Sequence, residues 1–408
     1  MIVLFTTMNN EKIAYLLAFV LLFGVAFFAQ AAENNNRYLI KSGSGVWKKY
    51  FGTRHSFDNG FTADLSDFQI RFAKIFGLEI EQVTKLYILP AQTDLSANDV
   101  LAEAKPNKVT KTQRAVPVEQ VPWGIKAVYG DSFLADVSGG EGVTVAILDT
   151  GAAKSHLDIE NRIKDCKDFS SPKSPVVDGK CEDKNGHGTH VAGIIAADGG
   201  SDGLGIFGVA PDANLFVYQV CSVSGSCWAD DIAVAVKLAA DNGANIINIS
   251  LGSDTPSLLI GNAVSYAAEK GVLIVAASGN DGPYAGSIDY PAADPKIIGV
   301  GALDVNQLVS DWSSSGINSE TTPYVTEEGD IEFAAPGVSI ESTWKDGGYA
   351  ILSGTSMAAP HISGLAAKLW QKDSLHPAEA TRNLLHQFSK DLLPSGDDDD
   401  SGWGLPTL

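Results

Sequence analysis

Positive charge is scarce in this chain of 408 residues: 29 Lys and Arg face 49 Asp and Glu, for a net charge of −20. So acidic a polypeptide repels phosphate backbones and anionic headgroups, which excludes nucleic acid as a partner and argues against stable membrane association. Cysteine is limited to 4 residues, none in Cys-x-x-Cys spacing or in a Cys/His cluster, so no zinc site is indicated. Internal repeats are absent, and the only monotonous tracts are Asn34 to Asn36 and Asp397 to Asp400. What is present is globular: 45% hydrophobic and 19% charged residues, in a length that suits two or three folded units.

The charge is unevenly placed. Glu33 to Arg114 carries 12 basic and 9 acidic residues, net +3, whereas Ala115 to Leu408 carries 16 and 39, net −23. Units of opposite sign favour mutual docking. Ahead of both, Glu11 and Lys12 precede an apolar run from Ile13 to Ala29 that ends in Ala29-Gln30-Ala31. This pattern fits a secretory signal with a small-residue cleavage site, and it predicts export to an extracellular or periplasmic compartment. An uncleaved anchor is the competing reading, although the run falls short of the roughly 20 residues a spanning helix needs. In an oxidising compartment the even cysteine count makes disulfides plausible. Cys166 with Cys181 and Cys221 with Cys227 is the simplest pairing, and free buried thiols are the alternative.

From Arg37 to Leu89 the pattern predicts a small α+β module: a strand at Tyr38 to Ile40, a turn at Asp58-Asn59-Gly60, a helix over Ser66 to Phe76 and a last strand at Lys85 to Leu89. Ala91 to Pro122, with Lys105, Lys108, Lys111 and Arg114, reads as an exposed, cleavable linker. Beyond it, continuous apolar runs at Val143 to Leu148, Leu215 to Val220, Ile246 to Leu251, Val272 to Ala277 and Ile297 to Val300 alternate with helical patterns. Unbroken apolar strands separated by helices predict an α/β fold, a parallel twisted sheet covered by helices on both faces. In such sheets ligands bind outside the carboxyl ends of the strands.

Three motifs fall at predicted strand ends or helix starts: Asp149-Thr150-Gly151, His187-Gly188-Thr189-His190, and Gly354-Thr355-Ser356-Met357-Ala358-Ala359-Pro360-His361. A serine hydroxyl needs an adjacent base to become a nucleophile, and a buried carboxylate can hold a histidine in the right tautomer for that task. Asp, His and Ser in these settings point to acyl transfer. In this order and with these neighbours the motifs resemble those of the subtilisin-like serine peptidases. The resemblance implies that Asp149 orients, that His187 is general base and acid, and that Ser356 is the nucleophile. His190 and His361, each running into a helix, read instead as buried, hydrogen-bonded rings.

The same resemblance implies further positions. Asn280, in Ala277-Ser278-Gly279-Asn280, would supply one oxyanion donor and the Ser356 amide the other. Ser250-Leu251-Gly252 would pair with substrate backbone and, with Ala277 to Gly279, wall the pocket for the residue before the scissile bond. Asp289 falls near the base of that pocket, where a carboxylate favours Lys or Arg; a solvated loop acid is the alternative reading. Asn248-Ile249-Ser250 matches a glycosylation sequon but lies in a predicted buried strand.

Gly60 to Leu65 resembles an inhibitor-type, ferredoxin-like propeptide, and Val121 to Ile125 resembles a mature N-terminal segment. The expected organisation is therefore a signal peptide at 1–32, a propeptide and linker at 33–114, and a catalytic domain at 115–408, with maturation within 114–120. The propeptide is expected to inhibit its own enzyme until removal, and the mature enzyme to act as a monomer on protein or peptide substrates. Calcium is the implied structural cofactor, with Asp158 and Glu119 as candidate ligands. Two rival chemistries fit less well. A metal-dependent hydrolase using Asp149, His187 and His190 leaves Asn280 and Ser356 unexplained, and Gly354 to Ala358 lacks the final glycine of Gly-x-Ser-x-Gly expected of an α/β-hydrolase.

Overall fold

The computed structural model describes residues 36–89, 116–319, 325–392 and 394–408. The signal segment at 1–32 and most of the linker, including Arg114, lie outside the described residues. The chain divides into two compact units between Val83 and Thr84.

The first unit runs strand Arg37–Ile40, helix Gly45–Phe51, strands Ser56–Phe57 and Gly60–Asp64, helix Asp67–Ile75 and strand Ile80–Gln82. This β-α-β-β-α-β order, with Arg37–Ile40 antiparallel to both Gly60–Asp64 and Ile80–Gln82, is the ferredoxin-like arrangement. The helix over Asp67–Ile75 starts in a capping box: Ser66 Oγ accepts from Gln69 N–H while the Gln69 side chain accepts from Ser66 N–H. Ile40, Phe51, Phe61, Leu65 and Phe72 form the core between helices and sheet. The last strand of this module is Ile80–Gln82. Lys85–Ile88, expected to fill that role, belongs to the second unit.

In the second unit eight strands form one sheet in the order Phe333–Pro336, Ile297–Leu303, Leu273–Ala277, Ile246–Ile249, Thr144–Asp149, Asn214–Gln219, Ile163–Asp168 and Val177–Asp178. Neighbours are parallel except the last pair. The five strands read from sequence are present and nearly all buried, as expected of a sheet covered on both faces. Two outer strands had no such signature. Ile163–Asp168 carries four charged residues and is only partly buried, and Phe333–Pro336 ends in a proline. Cys166 is bonded to Cys181 and Cys221 to Cys227, the simplest pairing. Two helices, His187–Ala196 and Thr355–Lys368, pack on each other and point their first turns at the carboxyl end of the sheet.

Candidate active site

Asp149 is the last residue of strand Thr144–Asp149 and is fully buried. The helix that begins at His187 starts hard against this strand end. A methyl group on Gly188 would lie 2.2 Å from the Gly151 carbonyl oxygen and 3.0 Å from Asp149 Oδ1, so only glycine permits the approach. His187 Nδ1 lies 2.8 and 2.9 Å from the two Asp149 carboxylate oxygens. Burial disfavours a charged His187 ring, but the charge of Asp149, its hydrogen bond and the charge of Asp183 outweigh this, and the pKa is raised. With Nδ1–H donated to Asp149, the lone pair falls on Nε2, which is buried and has no hydrogen-bond partner among the described residues.

Ser356 stands in the first turn of Thr355–Lys368. Its Oγ donates to the Ser250 carbonyl at 3.1 Å, and Ser250 Oγ donates back to the Ser356 carbonyl at 3.0 Å. Strand Ile246–Ile249 pairs with Thr144–Asp149 so that Ile249 faces Leu148, which carries the next residue, Ser250, alongside Asp149. The three separated motifs therefore meet at one end of the sheet. Ser356 Oγ is hydrogen-bonded to the Ser250 carbonyl here and not to His187.

Asn280 follows strand Leu273–Ala277. Its Oδ1 accepts from Thr355 N–H at 3.0 Å and from Thr355 Oγ1 at 3.0 Å. Both donors fix which end of the amide is oxygen, so Nδ2 faces the Gly354 turn, 3.3 Å from where a methyl on Gly354 would lie. Asp289 closes the gap between the two expected pocket walls: its Oδ2 is 2.5 Å from a methyl built on Gly252 and 3.0 Å from one built on Gly279. Burial, then the charges of Asp281 and Asp254, push its pKa up to about 7.

Several residues escaped the sequence reading. Asp183 accepts from Asn185, Gly186 and Thr189 N–H groups and from the Thr150 and Thr189 hydroxyls, and so ties the Asp149 strand end to the first turn of the His187 helix. An acid four residues before His187, at a helix start, was its available signal. Thr355 orients Asn280, a contact across 75 residues with no local sign. His190 donates Nε2–H to the Ile340 and Ala350 carbonyls, and His361 donates Nδ1–H to Met357 O. Burial first of all drives their pKa values down to about 3 and about 4, so both rings are neutral and structural. Asn248 is fully buried, donating to Ser250 Oγ and accepting from Ser363, which closes it to glycosylation.

Strand Lys85–Ile88 lies between Ser226–Trp228 and Leu251–Gly252, antiparallel to both, with Tyr87 opposite Gly252 and Ile88 opposite Leu251. An extended segment thus already adds to the edge that substrate backbone was expected to use.

Of the two expected calcium ligands, Asp158 is fully buried, accepting from Ile206 N–H and Tyr349 OH, and the loop over it comes so close that a methyl on Gly205 would fall 2.0 Å from its Oδ1. Glu119 is exposed and paired with Lys126. The residue that reaches the loop is its neighbour Gln120, whose side chain meets the Gly203 and Gly205 carbonyls.

Residues 140–404 match the model of the subtilase family of peptidases. A subtilisin from Bacillus sp. (strain TA39) is 42% identical over 404 residues, 93% of this chain and 92% of that protein. Subtilisin Savinase from Lederbergia lenta is 40% identical over 274 residues, 67% of this chain and 93% of that protein. Among solved structures, sphericase superposes with a TM-score of 0.69 at 47% identity, covering 72% of this chain and 100% of that one.

Proposed function

The chain belongs to the subtilase family, and from that premise we propose that it is a secreted serine endopeptidase made as a self-processing zymogen. The observation that carries the reading is the buried Asp149–His187 pair at the sheet end where Ser250 holds Ser356, with His187 Nε2 left without a hydrogen-bond partner among the described residues. Ser356 Oγ attacks the peptide carbonyl carbon and its proton passes to His187 Nε2. The tetrahedral oxyanion accepts from Asn280 Nδ2–H and the Ser356 amide, and the imidazolium then protonates the departing amine. Water repeats the sequence on the acyl-enzyme. Hydrolysis of casein by the expressed chain should stop with a serine-directed phosphonate. Insensitivity to it, with loss to a chelator and rescue by zinc, would favour a metal hydrolase instead.

We assign residues 1–32 to a signal peptide, 33–114 to the propeptide and its linker, and 115–408 to the enzyme. Self-inhibition is supported by strand Lys85–Ile88. Its register carries Leu89 to the level of Ser250, the position before a scissile bond, and the residue after it is Pro90. A bond to proline has no N–H and resists this chemistry, so the strand binds as substrate without being cut, and maturation falls downstream within 114–120. A peptide copying Lys85 to Gln92 should inhibit the mature enzyme and survive it, whereas its Pro90→Ala version should be cut after the leucine. Equal survival of both peptides removes the register argument.

The carboxylate of Asp289 favours Lys or Arg before the scissile bond, which would suit maturation by cleavage after Arg114. Because its pKa lies near 7, the ionised fraction rises about tenfold between pH 6 and pH 9. The ratio of kcat/KM for an Arg substrate to that for its Phe counterpart should rise by the same factor. His187 titration cancels in the ratio. Asp289→Asn should flatten the curve, and a flat curve in the native enzyme rejects the assignment.

Calcium fits the loop over Asp158. Carbonyls of Gly203 and Gly205 and the Asp158 carboxylate are the hard oxygen donors it prefers, and the Gln120 amide, whose Nε2–H now donates to both carbonyls, would present its oxygen once turned over. Bound there, it would tie the start of the mature chain to the body and stabilise by mass action. A chelator should lower the melting temperature, with recovery on calcium and not zinc, and Asp158→Asn should remove most of that dependence. A melting temperature indifferent to chelation excludes the site.

A further inference from the structure

One hairpin touches both the base and the nucleophile of the site. Its strands, Ile340–Thr343 and Tyr349–Leu352, are antiparallel, and the second runs on through Ser353, Gly354 and Thr355 into Ser356. The same two strands grip the helix that begins at His187. His190 Nε2–H donates to the Ile340 and Ala350 carbonyls, Ser342 Oγ donates to His190 O at 2.8 Å, and Thr343 Oγ1 donates to Thr189 O at 2.7 Å. The tip of the hairpin then reaches the loop just ahead of that helix. The Trp344 ring covers Gly186 so closely that a methyl there would lie 2.5 Å from it, and it meets the His190 ring edge-on, 6.3 Å between centroids. Lys345 Nζ donates to Asn185 O at 2.6 Å and to Lys184 O at 3.0 Å.

This loop needs holding. His187 stands between Gly186, in the left-handed region at φ 117°, and Gly188, so the backbone that carries the base has little restraint of its own. Proton transfer from Ser356 tolerates little error, since a displacement of about 1 Å costs about a hundredfold in rate. Asp183 takes the N–H groups of Asn185 and Gly186, and Lys345 takes the carbonyls of Lys184 and Asn185, so the loop is fixed by its donors and its acceptors together. We propose that Trp344 and Lys345 are positioning residues for the acyl-transfer reaction: they clamp residues 184–186 to the hairpin that delivers Ser356, and so set the pose of the His187 ring relative to the nucleophile. Trp344 acts by packing on Gly186, and Lys345 by charge-assisted hydrogen bonds. The inference rests on the triad proposed above.

The test uses the self-processed enzyme, counted by titration with a serine-directed phosphonate. A native enzyme that the phosphonate leaves untouched removes the triad, and this inference with it. Lys345 is exposed, so its variants keep the fold. Lys345→Met retains the stem beside Trp344 and loses the donors; it should lower kcat about tenfold with KM unchanged, and Lys345→Arg, which restores charge and donors, should recover most of the loss. Trp344→Ala should show the same kcat signature, larger. A merely structural role would lower the melting temperature without touching the base, so the proton spectrum supplies the second readout. His187 Nδ1–H, bonded to the Asp149 carboxylate, gives an isolated line far downfield, which should broaden and move in Lys345→Met and return in Lys345→Arg. Native kcat and an unmoved line in Lys345→Met, with the phosphonate still titrating the enzyme, overturn the assignment and leave the triad standing. A raised KM with kcat kept overturns it as well, because the tip would then be touching substrate.

Discussion

Ser356→Ala will leave the expressed chain unprocessed and proteolytically silent. The native chain should appear as a species beginning within 114–120, and the variant should retain everything after the signal peptide, a difference of mass that intact-protein spectrometry reads directly. The expected fall in turnover is about a million-fold, a magnitude known from a subtilisin rather than derived from this geometry. What the geometry adds is the reason no neighbour substitutes. Ser250 Oγ is spent on the Ser356 carbonyl, and the Ser250 carbonyl is what holds Ser356 Oγ at rest. His187 Nε2 meanwhile has no hydrogen-bond partner among the described residues. Removing the Ser356 hydroxyl therefore leaves a competent base with nothing to deprotonate but water. His187→Ala should cost about as much as Ser356→Ala, and the double variant little more, because the two act as one unit. Self-processing by Ser356→Ala at the native rate ends the nucleophile assignment.

The sequence carried the centre of this molecule well and its margins poorly. Asp149, His187 and Ser356 were legible because each sits among glycines and small residues that only close backbone approach explains, as at Gly188. The buried strands were legible because burial on both faces writes an unbroken apolar run. Ile163–Asp168 was not, since an outer strand keeps Lys164, Asp165, Lys167 and Asp168 along its length. The segment Lys85–Ile88 was read correctly as a strand and assigned to the wrong sheet, for strand propensity names a conformation and not a partner. Helix Gly45–Phe51 is two turns long, too short to write a periodicity. Contacts made by folding alone, such as Gln120 to the Gly203 carbonyl across 83 residues, leave no local trace in the sequence.

Asn280→Ala should lower kcat by about 100- to 1000-fold, again a range established in a subtilisin, while KM changes little. The ground-state carbonyl of a substrate asks little of the Asn280 amide. The oxyanion that forms from it asks for a donor already in place, so the loss is confined to the transition state. Here the donor is set in advance by Thr355, whose N–H and hydroxyl both give to Asn280 Oδ1 at 3.0 Å and leave Nδ2 no choice of direction. The Thr355 hydroxyl oxygen itself accepts from Gly279 N–H, so the orienting group is fixed to the same pocket wall it serves. Thr355→Val keeps the backbone donor and removes the hydroxyl, and it should cost a fraction of the Asn280→Ala loss with the same kcat signature. Asn280→Asp keeps the shape, still accepts from Thr355, and turns a donor into a second negative charge facing the oxyanion; it should be worse than alanine. If Asn280→Ala raises KM and spares kcat, Asn280 binds substrate in its ground state, and the second oxyanion donor has to be sought elsewhere on this rim.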